Sequence, residues 1–333
     1  MAVLDTYQVD ESTPKDLTSH EVLIRIHAVS LNPRDTMIIY GGYPLPYEDG
    51  GVVASDCSAE VVIIGSGVTD FKIGGHVAPI FDLDNLDGLK DTSSTLGGDA
   101  TGVLRQFAVF EDEQLVHLPE HLSWEEACTI TCAGVTAWSA LGMPSSANKN
   151  RSALLQGTGA ISMFALLICL AAGIRPIITS SSDEKLRSIV KLLPNASIGT
   201  INYRTQVDMP GEIKRLTGGL GVDIVVNNSG PASLSQDIES LRRGGTVSFV
   251  GGLGGYSGDP DRTLGTKILL KPAVVKGIAL GSKLDFQNLN SLISNNKISL
   301  KILIDQVFDF DDAETGLQYL SSGRKRGKVI IRV

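Results

Sequence analysis

Short apolar runs alternate with longer helical ones through the middle of the chain. Ala153-Leu154-Leu155-Gln156 reads as a buried strand and Gly157-Thr158-Gly159 as a turn. The unbroken apolar run 160–172 reads as a buried helix stopped by Gly173. A second strand, Pro176-Ile177-Ile178-Thr179, leads through three serines into a charged helix start. Strand, glycine turn, helix and strand at this spacing make a βαβ unit. The alternation continues through the strand Thr200-Ile201-Asn202-Tyr203, a helix around 212–216, a strand at 222–226 and a helix around 234–241. Further strands are expected at 246–250 and near 273–278. Repetition of this kind predicts an α/β fold with a doubly wound, parallel Rossmann sheet.

The first 122 residues have a different rhythm. Strands at 22–26, 28–32, 59–65, 76–79 and 105–118 are separated by Gly/Pro turns, with a short helix around 35–40. That pattern predicts a β-rich, partly open barrel. The polar stretch 82–101 is expected to be a surface loop. Ser123 and Glu126 form a capping box that opens a helix at the junction. The last stretch returns to mixed structure: a helix near 286–294, the segment 311–321 and the closing strand Lys328-Val329-Ile330-Ile331. The expected organisation is a dinucleotide domain, 123–278, inserted between 1–122 and 279–333.

With 333 residues there is room for two cores. A net charge of −8, spread along the chain, recommends neither nucleic acid nor an anionic membrane as partner. The basic run Arg324-Lys325-Arg326 reads as a solvated turn. The longest apolar run is too short to span a bilayer, and no basic-then-apolar leader opens the sequence. Cys57, Cys128, Cys132 and Cys169 form no Cys-x-x-Cys pair and read as buried thiols. A cytoplasmic location is the expectation.

Glycines at a strand-to-helix turn let backbone N–H groups and the helix dipole approach a pyrophosphate. Beyond the second strand an NAD site usually offers a carboxylate to the ribose. Here the residues are Ser180-Ser181-Ser182, with no acid until Asp183 and with Lys185 one turn on; Tyr203 and Arg204 end the third strand. Hydroxyls and a cation suit a 2′-phosphate, so NADPH is the expected cofactor.

Several segments carry a family likeness. They are Ala28-Val29-Ser30-Leu31-Asn32-Pro33-Arg34-Asp35, Gly65-Ser66-Gly67-Val68-Thr69-Asp70-Phe71, Cys132-Ala133-Gly134-Val135-Thr136-Ala137-Trp138 and Gln156-Gly157-Thr158-Gly159. Further along come Thr179-Ser180-Ser181-Ser182-Asp183-Glu184-Lys185-Leu186, Ile201-Asn202-Tyr203-Arg204 and Leu216-Thr217-Gly218-Gly219-Leu220-Gly221-Val222-Asp223. Together they resemble the medium-chain dehydrogenase/reductases, specifically the zinc-independent, quinone-oxidoreductase-like (zinc-type alcohol dehydrogenase-like) branch. The resemblance implies a GroES-like catalytic domain beside the Rossmann domain, and a homodimer. Zinc-using relatives place a cysteine where this chain reads Ser30-Leu31-Asn32, and Gly-His-Glu where it reads Ala54-Ser55-Asp56. Their four-cysteine lobe falls in 82–101, which holds no cysteine. His27, His76 and His117 are scattered on strands and read as satisfied histidines, so no metal is expected.

The implied chemistry is NADPH reduction of an activated C=C in a hydrophobic quinone or enone. Asn32, Asp35 and Tyr43 are the implied cleft residues: Tyr43 as proton donor or as a pocket-lining loop residue, Asn32 bonded to the carbonyl or ribose, Asp35 holding its own turn. Implied cofactor contacts are Thr136, Gly157, Thr158, Gly159, Ala160, Ile161, Ser180, Ser181, Lys185, Tyr203, Asn228, Val250, Gly251, Gly252, Leu280 and Gly281. Asn227-Asn228 departs from the branch, which commonly has an acid there, and 193–199 departs from its usual Leu-Gly-Ala-Asp turn. A divergent pathway enzyme fits these departures. The alternatives are alcohol/ketone redox, a non-redox isomerisation or cyclisation, and a cofactor-binding accessory protein.

Overall fold

The computed structural model describes residues 14, 16–144, 151–252, 255, 261–323 and 327–333. The leader reading (1–13) and the basic run 324–326 fall outside them. Contacts divide the chain into two units, one running to Val135 and resuming at Gly281, the other spanning Thr136–Leu280.

The β-rich unit begins with β1 (Glu21–Leu31), α1 (Pro33–Ile39), β2 (Asp56–Ile64), β3 (His76–Pro79), β4 (Phe107–Glu111), β5 (Leu115–His117) and α2 (Trp124–Ala127). A π-helical turn, Ile130–Gly134, and α3 (Val135–Ala140) follow. The nucleotide unit continues with β6 (Ser152–Leu155), α4 (Ala160–Ala172), β7 (Arg175–Ser180), α5 (Asp183–Leu192), β8 (Gly199–Asn202) and α6 (Met209–Leu216). Next come β9 (Val222–Asn227), α7 (Leu234–Ser240), β10 (Leu241–Phe249), α8 (Leu264–Leu270) and β11 (Val274–Gly277). The chain then returns through α9 (Lys283–Asn296), β12 (Ile304–Asp309), α10 (Ala313–Ser321) and β13 (Lys328–Arg332).

Sheet order in the nucleotide unit is β11-β10-β9-β6-β7-β8, and every pairing is parallel. Parallel strands put all their C-terminal ends on one edge, and that edge is where such sheets bind ligands. The helix α4 is buried from Ser162 to Cys169 and ends at Gly173 in the left-handed conformation, φ 70°, the usual glycine stop.

The β-rich sheet runs β12-β13-β1-β2-β3-β5, with β4 also paired to β1. Val22, Ile24, Ile26, Val29 and Leu31 of β1 pack with Val61, Val77, Leu115, Val329 and Ile331. The junction helix begins as its capping box requires, with Ser123 Oγ accepting from Glu126 N at 3.3 Å and Glu126 Oε2 accepting from Ser123 N at 3.3 Å.

Several details differ from the sequence reading: the strands expected at 22–26 and 28–32 are one, β1, and β12 was not expected. The run 105–118 is two strands, β4 and β5, broken by the single turn Asp112–Gln114. The stretch 82–101 is not surface throughout: Leu96 is 1% exposed and belongs to the core, held by bridges Asp82–Thr95 and Leu96–Ala100. The helix α8 was not read from the sequence: its core-facing pair, Leu264 and Ile268, is only half-buried, and Leu269 and Leu270 are exposed beside it. Residues 123–135 group with the β-rich unit, not the nucleotide one, because α2 packs on β1 and β2 and the π turn packs on β2.

None of the four cysteines is in a disulfide, and burial raises every thiol; Cys132 and Cys169 are pushed up to about 12. None is a thiolate at neutral pH. No helix among the described residues is long and apolar enough to cross a membrane.

Candidate functional site

In the β-rich unit the chain leaves β1 at Asn32, whose extended backbone (φ −120°, ψ 154°) starts α1 ahead of Pro33. Asp35, three residues on, accepts from Asn32 N at 2.7 Å and so holds its own turn. It is fully buried. Burial raises its carboxyl to about 6, against the pull of the Asn32 N–H and the Arg34 guanidinium.

Strand β13 brings Lys328, 3% exposed, to the same place. Its Nζ donates to Asn32 Oδ1 at 2.7 Å and lies 3.4 Å from Asp56 Oδ2. Asp56 also accepts from Ser55 Oγ (2.7 Å) and Cys132 N (3.3 Å), while Asn32 Nδ2 reaches Ser55 Oγ at 3.5 Å. A backbone ladder fixes Ala54 and its neighbours: Gly102 N donates to Val52 O, Leu104 N to Val53 O and Val103 N to Ala54 O. Only glycine fits at 102, since a Cβ there would stand 2.3 Å from Val52 O. Sequence reading missed Lys328. The available signal was a lysine opening an otherwise apolar closing strand, since a lysine is seldom fully buried unless paired.

Tyr43 is half-buried and engaged elsewhere. The Arg34 guanidinium lies over its ring at 5.1 Å and over Phe81 at 4.7 Å, and donates to Leu96 O at 2.7 Å. Arg34 thereby ties the Tyr43 loop to the end of the 82–101 stretch.

The segments that would correspond to a zinc site do meet here, but their donors do not suit the ion. They comprise the Asp56 carboxylate, the Ser55 hydroxyl and the Asn32 amide, with the Lys328 ammonium among them. Zinc takes three or four N/S/O donors with deprotonated ligands, and a fixed cation in the cluster repels a second one. Among the described residues no three His, Cys, Asp or Glu side chains gather in metal-binding geometry. The three histidines are used otherwise. His27 stacks on Trp124 at 4.3 Å and bonds Glu60 at 3.2 Å, His76 lies against Trp124 at 4.0 Å, and His117 bonds Asp70 O at 3.0 Å.

In the nucleotide unit the candidate contacts gather at the C-terminal edge of the sheet. Gly157 follows β6 at φ 80°, its N–H donating to Thr179 Oγ1 at 3.1 Å, and Gly159 caps α4. A Cβ built at either glycine would meet nothing within 4 Å. The turn thus faces open space, with the first-turn N–H groups of Ala160 and Ile161 beside Thr158 at a helix start. Ser162, in the third small position, donates to Gln156 O at 2.8 Å and accepts from Asn228 Nδ2 at 3.0 Å.

After β7, Ser180 is buried and its Oγ accepts from Ser182 N at 3.2 Å; Ser181 is half-buried. Ser182 caps α5 by accepting from Lys185 N at 3.3 Å, which leaves the Lys185 side chain exposed. Asp183, the nearest acid, accepts from Asn202 Nδ2 at 2.9 Å. Tyr203, 50% exposed, donates its N–H to Ser180 O at 3.1 Å. Val250 N donates to Asn227 O at 2.9 Å, and Val250, Gly251 and Gly252 are half-buried. These residues fit a dinucleotide. Thr136 is buried where the unit opens. Leu280 closes the unit at φ 65°, and Gly281, in the other unit, accepts from Asn85 Nδ2 at 3.3 Å.

Comparison with known proteins finds two domain matches along the chain. Residues 18–120 match the alcohol dehydrogenase GroES-like domain and residues 160–295 the zinc-binding dehydrogenase domain. A zinc-type alcohol dehydrogenase-like protein of Schizosaccharomyces pombe is 35% identical over 326 residues, covering 96% of this chain and 93% of its own. The human quinone oxidoreductase is 29% identical over 82% of this chain and 75% of its own. The crystal structure of a protein assigned as an alcohol dehydrogenase from Sinorhizobium meliloti superposes with a TM-score of 0.86 at 32% identity, covering 96% and 93% of the two chains. Matching domains in matching order, with this degree of identity along nearly the whole length, mean that the chain belongs to the medium-chain dehydrogenase/reductase family of oxidoreductases, in its quinone-oxidoreductase-like branch.

Proposed function

We propose that this protein is an NADPH-dependent reductase of an activated C=C bond in a small hydrophobic quinone or enone, working without a metal. The observation that carries the reading is the buried Lys328 ammonium on Asn32 and Asp56. Oxidising an alcohol near neutral pH calls for something that lowers the pKa of its hydroxyl, and a zinc ion does that. An ammonium-backed amide cannot make an alkoxide, but it can favour negative charge developing on a carbonyl oxygen.

Bound NADPH supplies a hydride. The enolate that hydride addition leaves takes its proton from water, and the chain's own residues position the partners. Lys328 fixes Asn32 Oδ1, so that Nδ2 keeps a hydrogen to offer the carbonyl oxygen. Asp35 locks the Asn32 backbone, and Tyr43, held by Arg34, shapes the substrate side. Gly157, Thr158, Gly159, Ala160 and Ile161 receive the diphosphate, while Ser180, Ser181, Lys185 and Tyr203 receive the 2′-phosphate. Asn228, Val250, Gly251 and Gly252 flank the nicotinamide end, with Thr136, Leu280 and Gly281 closing around it.

The test is consumption of NADPH, followed by its absorbance, against a panel of quinones, enones and alcohols. Reduction of quinones or enones by zinc-free enzyme is the expected result. Turnover confined to alcohols, or abolished by a chelator, overturns it. Product formed without net NADPH loss would point to isomerisation or cyclisation, and binding without turnover to an accessory protein.

The protein is also proposed to be a homodimer. Strand β11 is an edge strand exposed along its length, with Val274 at 51% and Val275 at 40%, and such an edge invites pairing with a second copy. Light scattering should report twice the 35.3 kDa chain mass. A monomer at micromolar concentration would exclude it.

A further inference from the structure

Beneath the dinucleotide turn lies a carboxylate that the proposed chemistry does not use. Asp237, on α7, is 2% exposed. Its Oδ1 accepts from Gln156 Nε2 at 2.6 Å; its Oδ2 accepts from Asn227 Nδ2 at 2.6 Å and from Ser233 Oγ at 3.0 Å. All three partners are neutral. Burial without a cation raises the carboxyl to about 7, against the pull of those three hydrogen bonds.

Two of the partners stand at the ends of the two central strands, and Ser233 lies in the turn before α7. Gln156 is the last residue before Gly157, and its Oε1 also accepts from Ser229 N at 3.3 Å. Asn227 ends β9 immediately before Asn228, and its Oδ1 accepts from Gly230 N at 2.9 Å. One carboxylate thus spans the turns that follow β6 and β9, both at the ligand-binding edge. Charged groups on the helices packed against α7 are engaged elsewhere or exposed. Glu212 of α6 pairs with Arg215, Lys267 of α8 pairs with Asp261 and with Glu239 of α7, and Lys214 is exposed. On β10, Arg242 pairs with Asp223, and Arg243 donates to Leu270 O.

We propose that Asp237 is a positioning residue for the dinucleotide turn, its ionised carboxylate holding Gln156 and Asn227 so that NADPH affinity falls when it is protonated. This rests on the dinucleotide-binding reading above. The ionised carboxylate can only accept, and its bonds from the Gln156 and Asn227 amides and the Ser233 hydroxyl are charge-assisted. A proton on Oδ2 turns the Ser233 hydroxyl to Gly230 O, 3.2 Å away, and leaves the two amides on a neutral carboxyl, whose hydrogen bonds are about half as strong. The sign follows. Above a pKa of about 7 the hub is intact, and below it the turn loosens.

The experiment measures NADPH dissociation constants by calorimetry between about pH 8 and about pH 6. Wild type should weaken by up to about tenfold on acidification, in step with the protonated fraction. Asp237→Asn should bind weakly and without that pH dependence. The exchange variant Asn227→Asp/Asp237→Asn, which restores a carboxylate–amide pair, should regain it. The side-chain amide signals of Gln156 and Asn227 should titrate in the same range without cofactor. Wild-type affinity that is flat or rises on acidification overturns the inference alone, as does Asp237→Asn binding with wild-type strength and slope. Wild type that binds no dinucleotide at any pH overturns the dinucleotide reading and the inference with it.

Discussion

Replacing Lys328 by methionine will cost both stability and turnover, and a second substitution will separate the two. Methionine matches the lysine stem in length but leaves the Asp56 carboxylate, 0% exposed, without its cation. Breaking a buried pair from one side typically costs about 3–5 kcal/mol, which is a large part of the roughly 5–15 kcal/mol that holds a protein of ordinary stability together. Removing both charges, as in Lys328→Met/Asp56→Asn, should return most of that loss, because the strain comes from the orphaned charge. Activity should not return with it. Asn32 Oδ1 would still lack its donor, so the amide is free to turn, and loss of one preorganised donor to a developing oxyanion lowers kcat by about 10²–10³. Urea unfolding of the two variants beside their NADPH-dependent rates makes the comparison. A double variant that folds stably and turns over like wild type would reduce Lys328 to a structural residue.

Cofactor choice should invert on a single added carboxylate. Ser181→Asp places an acid on the half-buried turn after β7, where hydroxyls now stand and the nearest carboxylate, Asp183, is tied to Asn202. Two unit charges about 4 Å apart at an effective dielectric of about 20 interact by roughly 4 kcal/mol. Side-chain movement and screening leave a smaller net effect, so NADPH affinity should fall by about 10²-fold while NADH affinity holds or improves. Lys185→Ala should weaken NADPH alone, by about tenfold, because an exposed lysine gives up only part of its Coulomb attraction to solvent. Wild type binding NADH as tightly as NADPH, or both variants leaving the NADPH constant unmoved, would remove the 2′-phosphate from this turn.

Both effects concern residues of very different legibility. The serine turn could be read directly: strand, small polar residues and a capped helix follow one another within a few positions, and each was local. The capping box of Ser123 and Glu126, the glycine stop at Gly173 and the holding role of Asp35 in its own turn were of the same kind. Residues three or four apart on a helix start meet whatever the rest of the chain does. The apolar run that became α4 was legible for a related reason, since a helix without a polar face must be buried.

Lys328 was illegible because its partners are distant: Asn32 lies 296 positions away and Asp56 lies 272 away. A lysine opening an apolar strand is a local hint, but it does not separate a side chain that snorkels to water from one that ends on a buried amide. Leu96 was hidden in the same way, inside a polar stretch whose end is pulled into the core by Arg34 and the Ala54 ladder. Asp237 reads in the sequence as one polar residue of a helix, and only the return of β6 and β9 to the same edge sets two amides against it. The sequence alone determined the two kinds of sheet, the cradle for a dinucleotide and the missing cysteine and histidine donors. Tertiary structure decided what stands in their place, because burial and pairing of a charge depend on which strands meet, and strand neighbours are chosen by long-range packing.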